Sequence, residues 1–384
     1  MKKLLLSFLT TITISSSLAA FAGDTVIHDT IIVNRNFYFT ILGVGTQNAQ
    51  VAIIGNVAPT NFKGTQVAGV FNAARGSVDG LQLAGFSNHC GDSLTGVQVA
   101  GCLNTAQGNV RGIQGAGAFN LATGNVFGAQ VAGSLNVATG NVTGAQLSGG
   151  ANIAWGNVQE LQATGGLNFA RDVQGLQISG GANVAMGTLR GMQISGGMNY
   201  AHYVKGVQIG VVNFADSADG AMIGVLSFAR HGYHKVELGW NETTPFNASF
   251  YTGSKKFHNI LSACVDMRPR DLVWGFGYGI GTAIPLHPRF DLGINLSSYH
   301  MNKGNFSLSM SDLWKLNVVM DVHIIKNVSI AAGPSLNLFL TDLTPEYNEA
   351  PVTGIAPYYF FTQTYSNRWN AKAWVGFTAS ARFF

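Results

Sequence analysis

Charge is scarce in this chain: Asp, Glu, Lys and Arg make up 10% of its 384 residues, against roughly 25% in an average soluble domain. The net charge of +4 is small and scattered, which excludes a nucleic-acid partner, since that needs clustered Lys and Arg. Cysteine is limited to Cys90, Cys102 and Cys264. Three cysteines without motif spacing make neither a disulfide framework nor a zinc site, and they read as small buried residues, with Cys90 and Cys102 the one pair an exported protein could join. Catalytic constellations are missing as well. No Ser/His/Asp set, paired carboxylates or metal-spaced cluster is present, so neither an enzyme nor a cofactor is expected. Long apolar runs are also absent beyond the N-terminus, and none reaches 18 residues. If the chain crosses a membrane, it must do so with strands closed into a barrel.

Glycine, by contrast, is abundant, at 49 residues against nine prolines, a balance that fits an all-β protein rich in tight corners. The chain opens "MKKLLLSFLTTITISSSLAAFAGD". Two lysines, an apolar stretch too short for a spanning helix, and Ala20-Phe21-Ala22 read as a signal peptide over 1–22. No cysteine follows the cleavage site, so a lipid anchor is not expected there. A short segment, 23–44, precedes the repeats.

Self-similarity dominates the next 180 or so residues. Glutamines recur at Gln50, Gln66, Gln82, Gln98, Gln114, Gln130, Gln146, Gln162, Gln177, Gln193 and Gln208, in steps of 16 with two of 15. Six residues after most of them stand Asn56, Asn72, Asn88, Asn104, Asn120, Asn136, Asn152, Asn168, Asn183 and Asn199. Within a unit the apolar residues alternate with Gln, Asn or Ala, a period of two and hence strand, and glycines bracket turns such as Asn141-Val142-Thr143. A helical repeat fails because glycine costs about 1 kcal/mol at each interior helix position.

An antiparallel barrel would repeat every two strands, with one class of loop free to vary. A period of one invariant unit instead predicts a β-solenoid over 45–230, about twelve coils in which each residue type stacks on its copy. Met222 occupies the Gln position of a decayed last unit. The amides of Gln66, Gln82, Gln98, Gln114, Gln130 and Gln146, and of Asn72, Asn104, Asn120, Asn136 and Asn152, are expected to form structural ladders. Sequence alone leaves open whether these ladders face the core or the solvent. Read functionally they would be a repetitive face for a glycan, ice or a partner strand; regular Thr columns are missing, and Trp155 is the clearest aromatic for a sugar.

After Arg230 the period stops and aromatics multiply. "DLVWGFGYGIGTAIPL" puts Trp274, Phe276, Tyr278 and Ile280 on one face and glycines on the other, and "RFDLGINLSSYH", "DLWKLNVVMDVHII", "NVSIAAGPSLNLFL" and "AKAWVGFTASARFF" alternate in the same way. With "HKVELGW", "FNASFYTGSKK" and "ILSACVDM" this predicts an eight-stranded antiparallel transmembrane barrel over 231–384. Lys235, Glu237, Asp291, Lys315, Asp321, His323, Lys372 and Arg382 fall on its inward face. An eight-stranded barrel is just filled by side chains, so these charges are expected to pair inside it and leave no pore. Asp321 and His323 could be read as an acid/base pair, but no nucleophile accompanies them.

These strands resemble small OmpA-like outer-membrane barrels in number and alternation, and in the terminal Phe384, although Phe384 is out of phase with Phe377, Ala379, Ala381 and Phe383. The repeats resemble the Gln/Gly/Asn surface repeats of exported proteins of Gram-negative bacteria and spirochaetes. The resemblance implies a non-enzymatic protein of the bacterial outer membrane, in contact with its lipid. The connections "KKFHN", "PLHPR" and "IKN" are short, and 341–368 is long. Outer-membrane barrels keep short turns in the periplasm, so the solenoid is expected there and the long loop outside. On this expectation the solenoid is an envelope scaffold or interaction surface for an envelope protein or a glycan. A surface-displayed adhesin and a single large pore-forming barrel are the alternatives.

Overall fold

The structure, a computed structural model, describes residues 31–34, 37–44, 48–267, 272–344, 351–356 and 358–383. The expected signal peptide and Phe384 lie outside the described residues. Among the described residues all regular elements are strands. Two compact units divide the chain: residues up to 187 with 191–196, and 188–190 with 197 onward.

The first unit is a parallel β-solenoid. A representative coil carries the strands Val126–Ala132 and Leu135–Ala138. Each strand pairs in parallel with its copies one coil before and after, so that Gln130 sits between Gln114 and Gln146 and Asn136 between Asn120 and Asn152. The constant period allows this register, because a slip of one residue would turn every inward side chain outward. Where a period is 15, between Gln162 and Gln177, the shortening falls at the corner. Arg171-Asp172 stands there where the preceding coil has Trp155-Gly156-Asn157, and the strands stay in register.

One corner is made by glycine for a reason visible at Gly112. Its φ is +135°, and a Cβ there would lie 1.9 Å from the carbonyl oxygen of Gly96 in the coil below. Only a residue without a side chain fits. Stacking begins before residue 45: the strand Phe37–Val44 runs parallel to Ala49–Ala58, and Ile31–Asn34 pairs antiparallel with it.

The second unit holds further coils and then the barrel. In its coils Met222 takes the glutamine position opposite Gln208 and is fully buried. Asn213 donates to the Ser227 hydroxyl, 3.2 Å away, where an asparagine would otherwise stand. The barrel strands are β1 (Lys235–Asn241), β2 (Phe246–Gly253), β3 (His258–Asp266), β4 (Val273–His287), β5 (Phe290–Lys303), β6 (Ser311–Ile325), β7 (Val328–Asp342) and β8 (Trp369–Phe383). Neighbours are antiparallel, and β1 pairs with β8 to close the sheet. The parallel, in-register repeats correct the alternative of one large barrel, whose strands would alternate in direction.

The turns 254–257, 288–289 and 326–327 share a rim with the start of β1 and the end of β8. The opposite rim carries the turn 242–245 and the connections 267–272, 304–310 and the long 343–368. Within that last one, the short strand Phe361–Tyr365, which the sequence pattern did not reveal, pairs with β8 beyond the reach of β1.

The last coil ends against the barrel. An interior coil's carbonyls accept N–H groups from the next coil, as Gly206 accepts from Ala221. The last coil has no successor, and side chains of the barrel replace it. Thr252 donates to the Ser227 carbonyl at 2.7 Å, Ser254 to Gly220 at 2.7 Å, and Asn259 and Tyr278 to Gly224 at 2.5 and 2.6 Å. This caps acceptors that would otherwise be left unpaired at a sheet edge.

Candidate functional site

Period-two alternation sends every second barrel residue inward, and at the short-turn end those residues are charged. Lys235 donates to Asp321 at 2.6 Å, and Arg382 reaches both Asp321, at 3.0 Å, and Glu237, at 2.6 Å. Tyr251 and Ser380 also donate to Glu237, at 3.1 and 3.0 Å. A neighbouring group gathers on Asp291, which takes Lys255 at 3.0 Å and His323 at 3.5 Å. Burial of these ions is tolerable because each faces an opposite charge with further hydrogen bonds.

Six of the eight expected interior charges therefore fall into two adjoining clusters. Lys315 is buried farther along the barrel, and Lys372 lies under the Tyr359 ring, 5.2 Å away, at the long-connection end. Lys255 was missed because it sits in a turn, outside the alternating pattern. Glu242 was missed for the same reason. From the 242–245 turn its carboxylate accepts from Asn337, from the Trp374 indole and from the Phe377 backbone N–H, each at 3.0 Å.

Toward the other end of the barrel interior an apolar cluster stands beside the Glu242 carboxylate. Tyr299, Met301, Leu313, Phe339 and Trp374 pack together, and the long connection folds back to add Val352 and Ile355. Thr341 anchors it by donating to the Val352 carbonyl at 3.1 Å. Side chains thus occupy the barrel from the ion pairs to this plug. Asp321 and His323 have different partners: Asp321 binds Lys235 and Arg382, and His323 faces Asp291. Among the described residues no group of three or more His, Cys, Asp or Glu is placed to hold a metal. The three cysteines are free thiols, Cys90 and Cys264 buried and Cys102 half-buried.

The solenoid ladders run through the interior of the coils. Gln130 donates to Gln114 at 2.8 Å and Gln146 to Gln130 at 2.8 Å; the same contact joins Gln66, Gln82 and Gln98 to their neighbours at 2.7 Å. The asparagines donate in the opposite sense, Asn72 to Asn88, Asn104 to Asn120, Asn120 to Asn136 and Asn136 to Asn152, all at 2.9 Å. Each Asn amide also reaches a backbone carbonyl of the next coil, as Asn136 does to Leu147 at 2.7 Å. The two ladders' amide dipoles therefore oppose one another. A third asparagine column, read only as turn residues in the sequence, stands at the outer corner. There Asn125 accepts the backbone N–H of Asn141, and Asn141 that of Asn157, at 2.8 Å.

With amides inside, the apolar residues that flank them point out. Val99, Ile113 and Val131 beside the glutamines, and Phe119 and Leu167 beside the asparagines, are 37–47% exposed. Trp155 packs edge-on against Phe169, ring centroids 5.3 Å apart. The barrel exterior is apolar in the same way: Trp240, Phe276, Ile294, Leu296, Trp314, Leu316, Leu336 and Phe377 are all exposed. Comparison with protein-family models, curated proteins and solved structures found no match to this chain.

Proposed function

We propose that this chain is a non-enzymatic outer-membrane protein, in which the barrel is a lipid-embedded anchor and the solenoid an envelope scaffold or interaction surface. The observation that carries this reading is the barrel's inversion. Its exterior is a belt of Trp, Phe, Leu and Ile, and its ion pairs are inside, the arrangement a hydrocarbon solvent demands. The plugged interior argues for an anchor instead of a channel. Short turns and both barrel ends share one rim, which supports a periplasmic position for that rim and for the coils that lead into β1.

Envelope fractionation tests the reading. The mature protein should sediment with the outer membrane and resist extraction by salt and carbonate. Recovery in the soluble periplasmic fraction would overturn it.

A further inference from the structure

The coils between Thr65 and Ile194 are amphipathic in an unusual sense. The positions on either side of each Gln and each Asn form two flat outward faces, and no Asp, Glu, Lys or Arg occupies any of them. His89 is the one titratable side chain there. Every charged residue of this stretch, from Arg75 to Arg190, stands on the third side, at the corners around the G-N-V turns; Asp79 pairs there with Lys63 of the preceding turn, 3.4 Å apart and exposed. The corner between the two apolar faces holds glycine with small or apolar neighbours such as Phe86, Ala118 and Ser134.

Contiguous apolar area above a few hundred square ångströms marks a surface that is covered in use. Two such faces meet at one uncharged corner. A second copy of the chain, docked by one face, would leave the other in water, whereas acyl chains cover both together. The coil backbone bonds from coil to coil and the core amides bond in ladders, which meets the demand that a hydrocarbon solvent makes on polar groups. In the second unit, moreover, a chain of ring contacts joins the last coil to the barrel exterior. Phe228 on the last coil packs on His234, centroids 4.7 Å apart, and His234 stacks on Phe250, 6.4 Å away on the outer side of β2.

We infer that the solenoid is a lipid-contacting wedge, with its two apolar faces among the acyl chains of a leaflet and its charged third side at the headgroups. It is thus an interfacial element in the sense of an amphipathic helix, built from β-coils. This rests on the membrane reading of the barrel.

The test uses the full-length protein with Cys90, Cys102 and Cys264 replaced by Ala, reconstituted in phosphatidylethanolamine and phosphatidylglycerol vesicles whose acyl chains carry bromine. Single cysteines at Val131, Phe119, Gln107 and Leu336 carry a bimane fluorophore. Val131 and Phe119 lie on the two faces, Gln107 on the polar side and Leu336 on the barrel exterior. The expected result is loss of fluorescence at 131 and 119 comparable to that at 336, with little at 107. Quenching at 336 alone overturns the inference and leaves the barrel anchor standing, whether the faces prove to lie in water or against a second copy. Absence of quenching at 336 overturns the membrane reading and this inference with it.

Discussion

Glu237 and Arg382 are direct cross-strand partners in the pairing of β1 with β8, and their side chains meet at 2.6 Å inside the barrel. The first and last strands are thus joined by an ion pair as well as by the backbone. Replacing Arg382 with Ala leaves Glu237 without a cationic partner in a buried site, while Asp321 keeps Lys235. Losing one partner of a buried pair costs about 3–5 kcal/mol. The Arg382→Ala protein should lose the heat-modifiable migration of a folded barrel on gels at a temperature well below wild type; an unchanged transition would show that the seam does not depend on the pair.

Asn136 is the donor to Asn152 and to the Leu147 carbonyl, and the acceptor of Asn120. Asn136→Leu takes one hydrogen bond from each of these three partners, although Asn120 still donates to the Val131 carbonyl and Asn152 to Asn168; each buried group left without its partner costs about 1–3 kcal/mol. Denaturant unfolding should show a loss of about 3 kcal/mol or more. Thr143→Ala, on the outer side, should stay within about 0.5 kcal/mol.

Gly112→Ala sets a methyl group against the Gly96 carbonyl in a backbone conformation that L-residues rarely adopt. A destabilisation of about 1–3 kcal/mol is expected, read by the same unfolding curve. Wild-type stability in the variant would mean that the corner can relax, contrary to the close stacking seen here.

His89 makes a 2.8 Å contact between its Nδ1 and the Thr105 hydroxyl, and burial holds its pKa below the usual histidine value. A group with a depressed folded pKa binds its proton more readily when unfolded, so its effect is to lower stability as pH falls through about 6.5 and below. The difference in melting temperature between wild type and His89→Gln should therefore shift against wild type between pH 7.5 and 5. A difference that stays constant with pH would contradict this.

The filled barrel should be electrically silent. Purified protein in a planar bilayer is expected to give no stable conductance steps, because the Asp321 cluster and the Trp374 plug occupy opposite ends of the same interior. Reproducible unitary steps would contradict the anchor reading.

The architecture was legible in the sequence because both halves obey a period of two, and because a fixed repeat length allows only in-register stacking. Phe276 and Gly277 show their faces by alternation alone. The direction of the solenoid faces was not legible, since Gln130 and Val131 alternate equally well with either one inside. The observed ladders decide it: each amide is buried and bonded to its copies in the neighbouring coils, which sends valine outward. Glu242, Lys255 and the Phe361–Tyr365 strand escaped because turn residues carry no periodic signal, and their roles depend on partners up to 135 residues away, as with Glu242 and Phe377.

The central claim, a membrane anchor with its solenoid on the short-turn side, is tested most directly by labelling intact cells with a membrane-impermeant maleimide. Single cysteines at Thr353, exposed in the long connection, and at Gln107, exposed on the polar side of the solenoid, replace the native thiols. The account predicts labelling at 353 on intact cells, and at 107 only after the outer membrane is permeabilised. Labelling of both on intact cells would place the solenoid outside and contradict it.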